Sequence, residues 1–294
     1  MFDTVRRILS LAAGTLTASL LAGCSPASVL GWVQPSARGG EERGIAYAPG
    51  PRHEFDIYIP AASNSPPPVV VFFYGGGWRS GDRASYRFVG RALAACGALT
   101  IIPDYRVWPD AGYAGFLRDA AAAVAAAREA ARQRGGDPSR LFLMGHSAGA
   151  YIAAMLALDP EWLADGQRSA LSGVVGLAGP YDFLPLTDPV LEEIFAPVGP
   201  RTQPITFAAN AGAPLLLLTG ADDTTVYPAN STRLAARVQE TGGHATTIVY
   251  PGIGHIALLG AFASPLRFLA PARDDACRFL GLPSREPPNA AVGR

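Results

Sequence analysis

Lysine is missing from this 294-residue sequence: all 24 of its basic side chains are arginine. That absence removes Schiff-base chemistry, the Ser-x-x-Lys dyad and the lysine of a phosphate-binding loop. Covalent catalysis would have to come from Ser, Cys, Thr, His or a carboxylate. His-Glu-x-x-His, Cys-x-x-Cys and histidine pairs at ligand spacing are lacking too, so no metal is expected. The glycines between 75 and 81 fit the dinucleotide fingerprint poorly, and no cofactor is implied. The formal net charge is zero and the arginines are scattered, which disfavours a nucleic-acid partner. No internal repeat is found.

What is present is apolar. Hydrophobic residues make up 49% of the chain, enough for the core of one α/β domain. The N-terminus opens with Arg6 and Arg7, continues as an apolar run over 8–22, and closes on Leu21-Ala22-Gly23-Cys24. The run is short and rich in small residues, so a cleaved targeting segment fits better than a membrane-spanning helix. Leu-Ala-Gly-Cys resembles the lipobox of bacterial lipoproteins. The resemblance implies a signal peptide over 1–23, lipidation of Cys24, and export to a membrane that several acyl chains would grip stably. Ser25 after the cysteine is compatible with the periplasmic face of an outer membrane in a Gram-negative host.

Residues 24–42, rich in Ser, Pro, Gly and charge, read as a flexible tether. The domain is expected over 43–282 and a loose tail over 283–294. Cys96 and Cys277 could pair in an oxidising compartment, but sequence does not place them within reach. Both fall in predicted helices beside apolar neighbours, so buried free thiols are expected.

Between tether and tail, strands and helices alternate. Residues 54–59 alternate polar and apolar, as a half-exposed antiparallel edge region would. The apolar runs 69–73, 99–102, 141–144, 174–177, 215–219 and 246–250 suit parallel strands covered on both faces. Helices are predicted over 85–95, 116–134, 148–158, 230–241 and 266–280. The alternation predicts a mostly parallel sheet with helices on both faces. Residues 180–213 break the rhythm with several prolines and a short helical stretch at 190–195. An insertion there would lie over the carboxyl edge of the sheet, where open α/β folds bind ligands.

The sharpest motif is Gly145-His146-Ser147-Ala148-Gly149, between a predicted strand and a predicted helix. In such a nucleophile elbow the turn is tight and strained, and it lifts the serine hydroxyl above the sheet. Serine needs a base. Of the four histidines, His53 precedes the first strands, His146 lies inside the elbow and His244 precedes a strand. His255, in the loop after the last strand, shares an edge with Ser147. The group that orients the imidazole should come from Gly220-Ala221-Asp222-Asp223, and spacing from Gly220 favours Asp223 over Asp222. Tyr74-Gly75-Gly76-Gly77-Trp78 follows the strand 69–73 and could offer backbone N–H groups to an oxyanion.

The order Ser, Asp, His resembles that of the α/β-hydrolase fold. The glycine loop resembles the His-Gly-Gly-Gly-Trp loop of the carboxylesterase, feruloyl-esterase-like and arylformamidase-like branches, with Tyr74 where histidine is usual. Pro103-Asp104-Tyr105-Arg106, Asp137-Pro138-Ser139-Arg140 and Gly179-Pro180-Tyr181-Asp182 match the same group. The resemblance spans roughly 43–282. It implies an oxyanion hole of the Gly76, Gly77 and Ala148 amides, and a His146 side chain directed away from the serine hydroxyl. The activity it implies is a Ser147-Asp223-His255 serine hydrolase cleaving small carboxylic esters through an acyl-enzyme. An arylformamidase-like amide hydrolase is the alternative, and a non-catalytic binding protein on the same fold a further one. Trp78, Tyr181, Phe183 and Ile256 are candidates for an apolar substrate pocket, and each could equally be core. Asp104 and Arg106 read as a structural corner before a substrate clamp. Oligomeric state is not legible.

Overall fold

The apolar runs form one eight-stranded sheet in the computed structural model, which describes residues 34–195 and 198–283. The strands are β1 (Gly40–Ala46), β2 (Glu54–Ile59), β3 (Pro68–Phe73), β4 (Leu99–Pro103), β5 (Asp137–His146), β6 (Leu171–Leu177), β7 (Leu215–Gly220) and β8 (Ala245–Tyr250). Their spatial order is β1-β2-β4-β3-β5-β6-β7-β8. The β1–β2 and β2–β4 pairs are antiparallel and the other five are parallel. The helices are α1 (Arg87–Cys96), α2 (Tyr113–Gln133), α3 (Ala148–Leu158), α4 (Asp165–Arg168), α5 (Pro189–Phe195), α6 (Ala229–Glu240), α7 (His255–Gly260) and α8 (Ala272–Phe279).

This topology fixes where a site can form. From β3 the chain crosses through α1 to β4 on one side; from β4 it crosses through α2 to β5 on the other. Right-handed crossovers in opposite directions put α1 on one face of the sheet and α2, with α3 after β5, on the other. The loops leaving the adjacent strands β3 and β5 therefore part, and a crevice opens between them at the carboxyl edge. The glycine loop leaves β3 there and the Ser147 turn leaves β5, in a register that pairs Phe73 with Gly145.

Some expectations are corrected. The tether does not reach residue 42: Gln34 and Ala37 are buried, and β1 begins at Gly40. Arg91 holds this segment, bonding Glu41 at 2.6 Å and the Gln34 carbonyl at 3.0 Å, while Gln34 Oε1 accepts the Ser264 amide at 2.7 Å. Polar composition suggested a tether where these charges instead have fixed partners. Strand β1 also makes β2 an inner strand. The helix expected over 266–280 starts only at Ala272, after Pro271, whose ring favours the start of a helix over its interior.

Cys96 and Cys277 form a disulfide with Cα atoms 6.2 Å apart, correcting the expected free thiols. Helices α1 and α8 pack together, which brings the end of one within bridging distance of the other. The segment 1–33, with the lipobox and Cys24, and the tail from 284 lie outside the described residues.

Candidate active site

Ser147 joins β5 to α3 with φ 54° and ψ −123°, the strained turn that its flanking glycines allow. A Cβ on Gly149 would lie 2.0 Å from the Phe73 carbonyl oxygen, so only glycine lets α3 approach β3 this closely. A serine just before a helix ordinarily caps it. Ser147 makes no such bond, and its hydroxyl has no hydrogen-bond partner among the described residues. The hydroxyl is left available at the head of α3, where the helix dipole and open amides concentrate positive potential.

The structure brings His255 and Asp223 together. His255 Nδ1 and Asp223 Oδ2 are 2.8 Å apart. The other carboxylate oxygen, Oδ1, accepts the amides of Thr225 and Val226 at 2.9 and 2.8 Å. Asp223 is buried whereas Asp222 is exposed, which separates the two aspartates. The loops carrying Asp223 and His255 are stitched by the Asp222 amide to the Ile253 carbonyl at 3.0 Å. With Nδ1–H held by the carboxylate, Nε2 is the nitrogen free to take a proton. His255 also starts α7, where the sequence predicts loop.

His146, the histidine inside the elbow, packs under this group. Its ring centroid is 4.7 Å from that of His255, and its Nε2 lies 3.4 Å from the His255 carbonyl oxygen. Burial, followed by the charge of His255, lowers the His146 pKa to about 3. The folded state therefore keeps His146 neutral, while the unfolded chain takes up a proton below about pH 6.5. This contribution to stability is complete above pH 6.5 and declines as pH falls toward 3, by about 1.4 kcal/mol per pH unit. His146→Asn is expected to flatten the pH dependence of the urea midpoint between pH 6.5 and 4. An unchanged slope would contradict the assignment.

The glycine loop lies against the elbow: a Cβ on Gly75 would be 3.0 Å from the Cβ of Ser147. Gly76, Gly77 and Trp78 have φ of 135°, 60° and 59°, and the Gly76 carbonyl accepts the Arg79 and Ser80 amides, both at 3.1 Å. The amides of Gly76, Gly77 and Ala148 donate to no protein acceptor among the described residues. Tyr86, with a pKa pushed up to about 12 by burial, keeps its hydroxyl and accepts the Gly75 amide at 3.1 Å. Tyr74, in the place of the usual histidine, stacks on Tyr105 at 4.6 Å and takes a 2.8 Å hydrogen bond from Arg52. The loop is thus braced from behind, through an arginine-tyrosine contact that no motif signals.

The pocket candidates divide. Trp78 is buried among Phe116, Tyr151, Phe183 and Phe195, and Tyr181 is buried with its ring against Gly176 and Gly179. Both are core. Phe183 is half-buried on Trp78, and Ile256 is 60% exposed on α7. The described part of residues 180–213 covers this aromatic cluster, with Phe195 of α5 at its centre and Arg79 of the glycine loop paired to Asp188 at 3.1 Å. Asp104 and Arg106 do not pair with each other. Asp104 binds Arg83, while Arg106 holds Asp119 through two bonds of 2.8 and 2.7 Å, so both serve as structure.

An eight-stranded mixed sheet with this strand order, an elbow after β5 and acidic and histidine loops after β7 and β8 defines an α/β-hydrolase. The chain belongs to the BD-FAE family, whose model matches residues 55–238. It is similar to isoprenylcysteine alpha-carbonyl methylesterase of Arabidopsis thaliana, 29% identical over 254 residues that cover 76% of this chain and 58% of that protein. It is also similar to carboxylesterase NlhH of Mycobacterium tuberculosis, 36% identical over 118 residues, 40% of this chain and 37% of that protein. A solved structure of a thermophilic esterase from Thermogutta terrifontis with butyrate bound superposes at a TM-score of 0.68. Its identity is 23%, over 82% of this chain and 94% of that one. The chain spans 51–59% of the length of the plant methylesterases it matches.

Proposed function

We propose that this chain is a serine hydrolase of small carboxylic esters, with Ser147 as nucleophile, His255 as general base and acid, and Asp223 as the group that orients it. The observation that carries the reading is the 2.8 Å Asp223–His255 contact beside an elbow serine with an unused hydroxyl. The esterases among the relatives support the reaction class. His255 Nε2 takes the Ser147 proton as Oγ bonds to the ester carbonyl carbon. The Gly76, Gly77 and Ala148 amides receive the developing oxyanion, and donors of this kind are often the largest electrostatic contribution. Collapse of the intermediate breaks the bond to the alcohol oxygen, which takes the proton from His255. Water then gives its proton to His255 and attacks the acyl-enzyme; the bond from the acyl carbon to Ser147 Oγ breaks, Oγ takes the proton back from His255, and the acid leaves.

Export and lipid attachment at Cys24 are part of the same proposal. The sequence Leu21-Ala22-Gly23-Cys24 supports them, as does the Cys96–Cys277 disulfide, a bond that persists in oxidising compartments.

Incubation with a fluorophosphonate followed by peptide mapping tests the activity. Expected are a single adduct on Ser147 and hydrolysis of p-nitrophenyl acetate that is lost in step with labelling. Hydrolysis that persists in fully labelled protein would refute the assignment. Faster cleavage of N-formyl anilides than of matched esters would replace ester by amide as the substrate.

A further inference from the structure

An apolar groove of about 510 Å³ opens between the glycine loop and α7. That volume lies within the roughly 300–1,000 Å³ of small-molecule sites. One wall is Gly75, Gly76 and the ring of Tyr86, with Ser80, Asp82 and Ser85 along its rim; the other, wholly apolar, is Ile256, Leu259 and Gly260. Leu266 and Leu269 close the far end, and Phe268 between them is 80% exposed. Exposed side chains of this size beside an open apolar groove are a costly arrangement unless a ligand covers them. None of the core aromatic residues around Trp78 borders the groove; they pack on Trp78, at the end of the glycine loop.

We propose that this groove binds the alcohol portion of the substrate, and that this portion is an apolar chain or ring of several carbons. The inference rests on the hydrolase reading above. In that reaction the atom His255 protonates is the oxygen of the departing alcohol, so the alcohol lies on the His255 side of the carbonyl. The groove's second wall is the helix that His255 begins. Its first wall is the loop that holds the oxyanion. An alkoxy group leaving the carbonyl between these two therefore enters the groove, whereas the acyl group points toward the end of the glycine loop, filled around Trp78. The substrate class is then an ester of a short acid with a larger apolar alcohol. Its selectivity comes from burial of the alcohol and grows with each carbon that the groove encloses.

The test compares two series on the wild-type protein: ethyl to octyl acetate, and ethyl acetate to ethyl octanoate. The expected result is a rise in kcat/KM of at least about ten-fold along the alcohol series and none along the acid series. A Cβ added to Gly260 would sit 3.4 Å from Leu266 Cδ1 and 4.0 Å from Leu269 Cδ1, ordinary contacts pointing into the groove. Gly260→Val should therefore fold and abolish the rise with alcohol length. Leu269→Gln should reduce it through polarity without filling the space. A preference that follows acid length, or an alcohol series that neither variant alters, would overturn the inference. If the wild type hydrolyses no ester, the hydrolase reading fails, and 1-hexanol titrated by calorimetry judges the groove alone. Saturable binding lost in Gly260→Val would uphold it, and no binding would sink it.

Discussion

Ser147→Ala is expected to lower kcat for p-nitrophenyl acetate by about six orders of magnitude, leaving only what the amides and binding supply. Folding should be almost unaffected. The hydroxyl caps no helix and has no partner among the described residues, and alanine meets the same positive φ that serine already tolerates. Asp223→Asn should cost about four orders of magnitude by a different route. The Thr225 and Val226 amides would hold the asparagine carbonyl oxygen where Oδ1 now sits, which turns its NH₂ group toward His255 Nδ1. Two donors cannot face each other, so the imidazole would carry its proton on Nε2 and could not accept one from Ser147. The two variants are separable by pH: with Asp223→Asn, residual activity should keep rising into the alkaline range, while Ser147→Ala stays flat. A Ser147→Ala protein within ten-fold of wild type would refute the nucleophile assignment.

How much of this was legible follows from the range of each interaction. The elbow is local: two glycines, a serine, a strand before and a helix after are all encoded within about twenty residues. The placement of Ser147, Asp223 and His255 after β5, β7 and β8 was readable because each follows its own apolar strand run directly. Loop spacing favoured Asp223 over Asp222, and in the structure two amides hold the buried Asp223 carboxylate while Asp222 is exposed. What was not legible depends on distant partners. Arg91 reaches back 50 residues to Glu41 and turns an apparent tether into an edge strand. There burial pushes the Glu41 carboxyl up, but bonds from Arg91, Arg43 and the Ala37 amide outweigh it and bring the pKa to about 2. Trp78 and Tyr181 looked like pocket residues because aromatic side chains near motif ends serve either purpose. Only packing decides, and here it put them in the core. Only one wall of the groove was legible, through the candidate Ile256, because the two walls come from segments about 180 residues apart. Its one sequence trace is the apolar run directly after His255.

The Cys96–Cys277 bond joins the helices that follow those two segments and is the second large expected effect. Helix α1 follows the glycine loop and α8 follows α7, so the bond ties the chain behind one wall of the groove to the chain behind the other. It closes a loop with a sequence separation of 181. In the chain-entropy account a loop that long gives close to the greatest stabilisation one disulfide provides, about 5 kcal/mol, and removal of native disulfides typically costs about 2–5 kcal/mol. Cys96→Ala/Cys277→Ala is therefore expected to lower the unfolding free energy by that amount and to shift the urea midpoint down. Its kcat at 25 °C should match the wild type, since neither sulfur approaches the proposed triad. Alanine is the better probe than serine because Cys277 is fully buried, and a hydroxyl there would lack a partner. Thiol titration of denatured protein taken from the membrane fraction should find neither of these two cysteines free. Two reactive thiols would show that the bond does not form, and would remove one of the two supports for an oxidising compartment. A double variant as stable as the wild type would mean that packing between α1 and α8 already holds the two segments together without it.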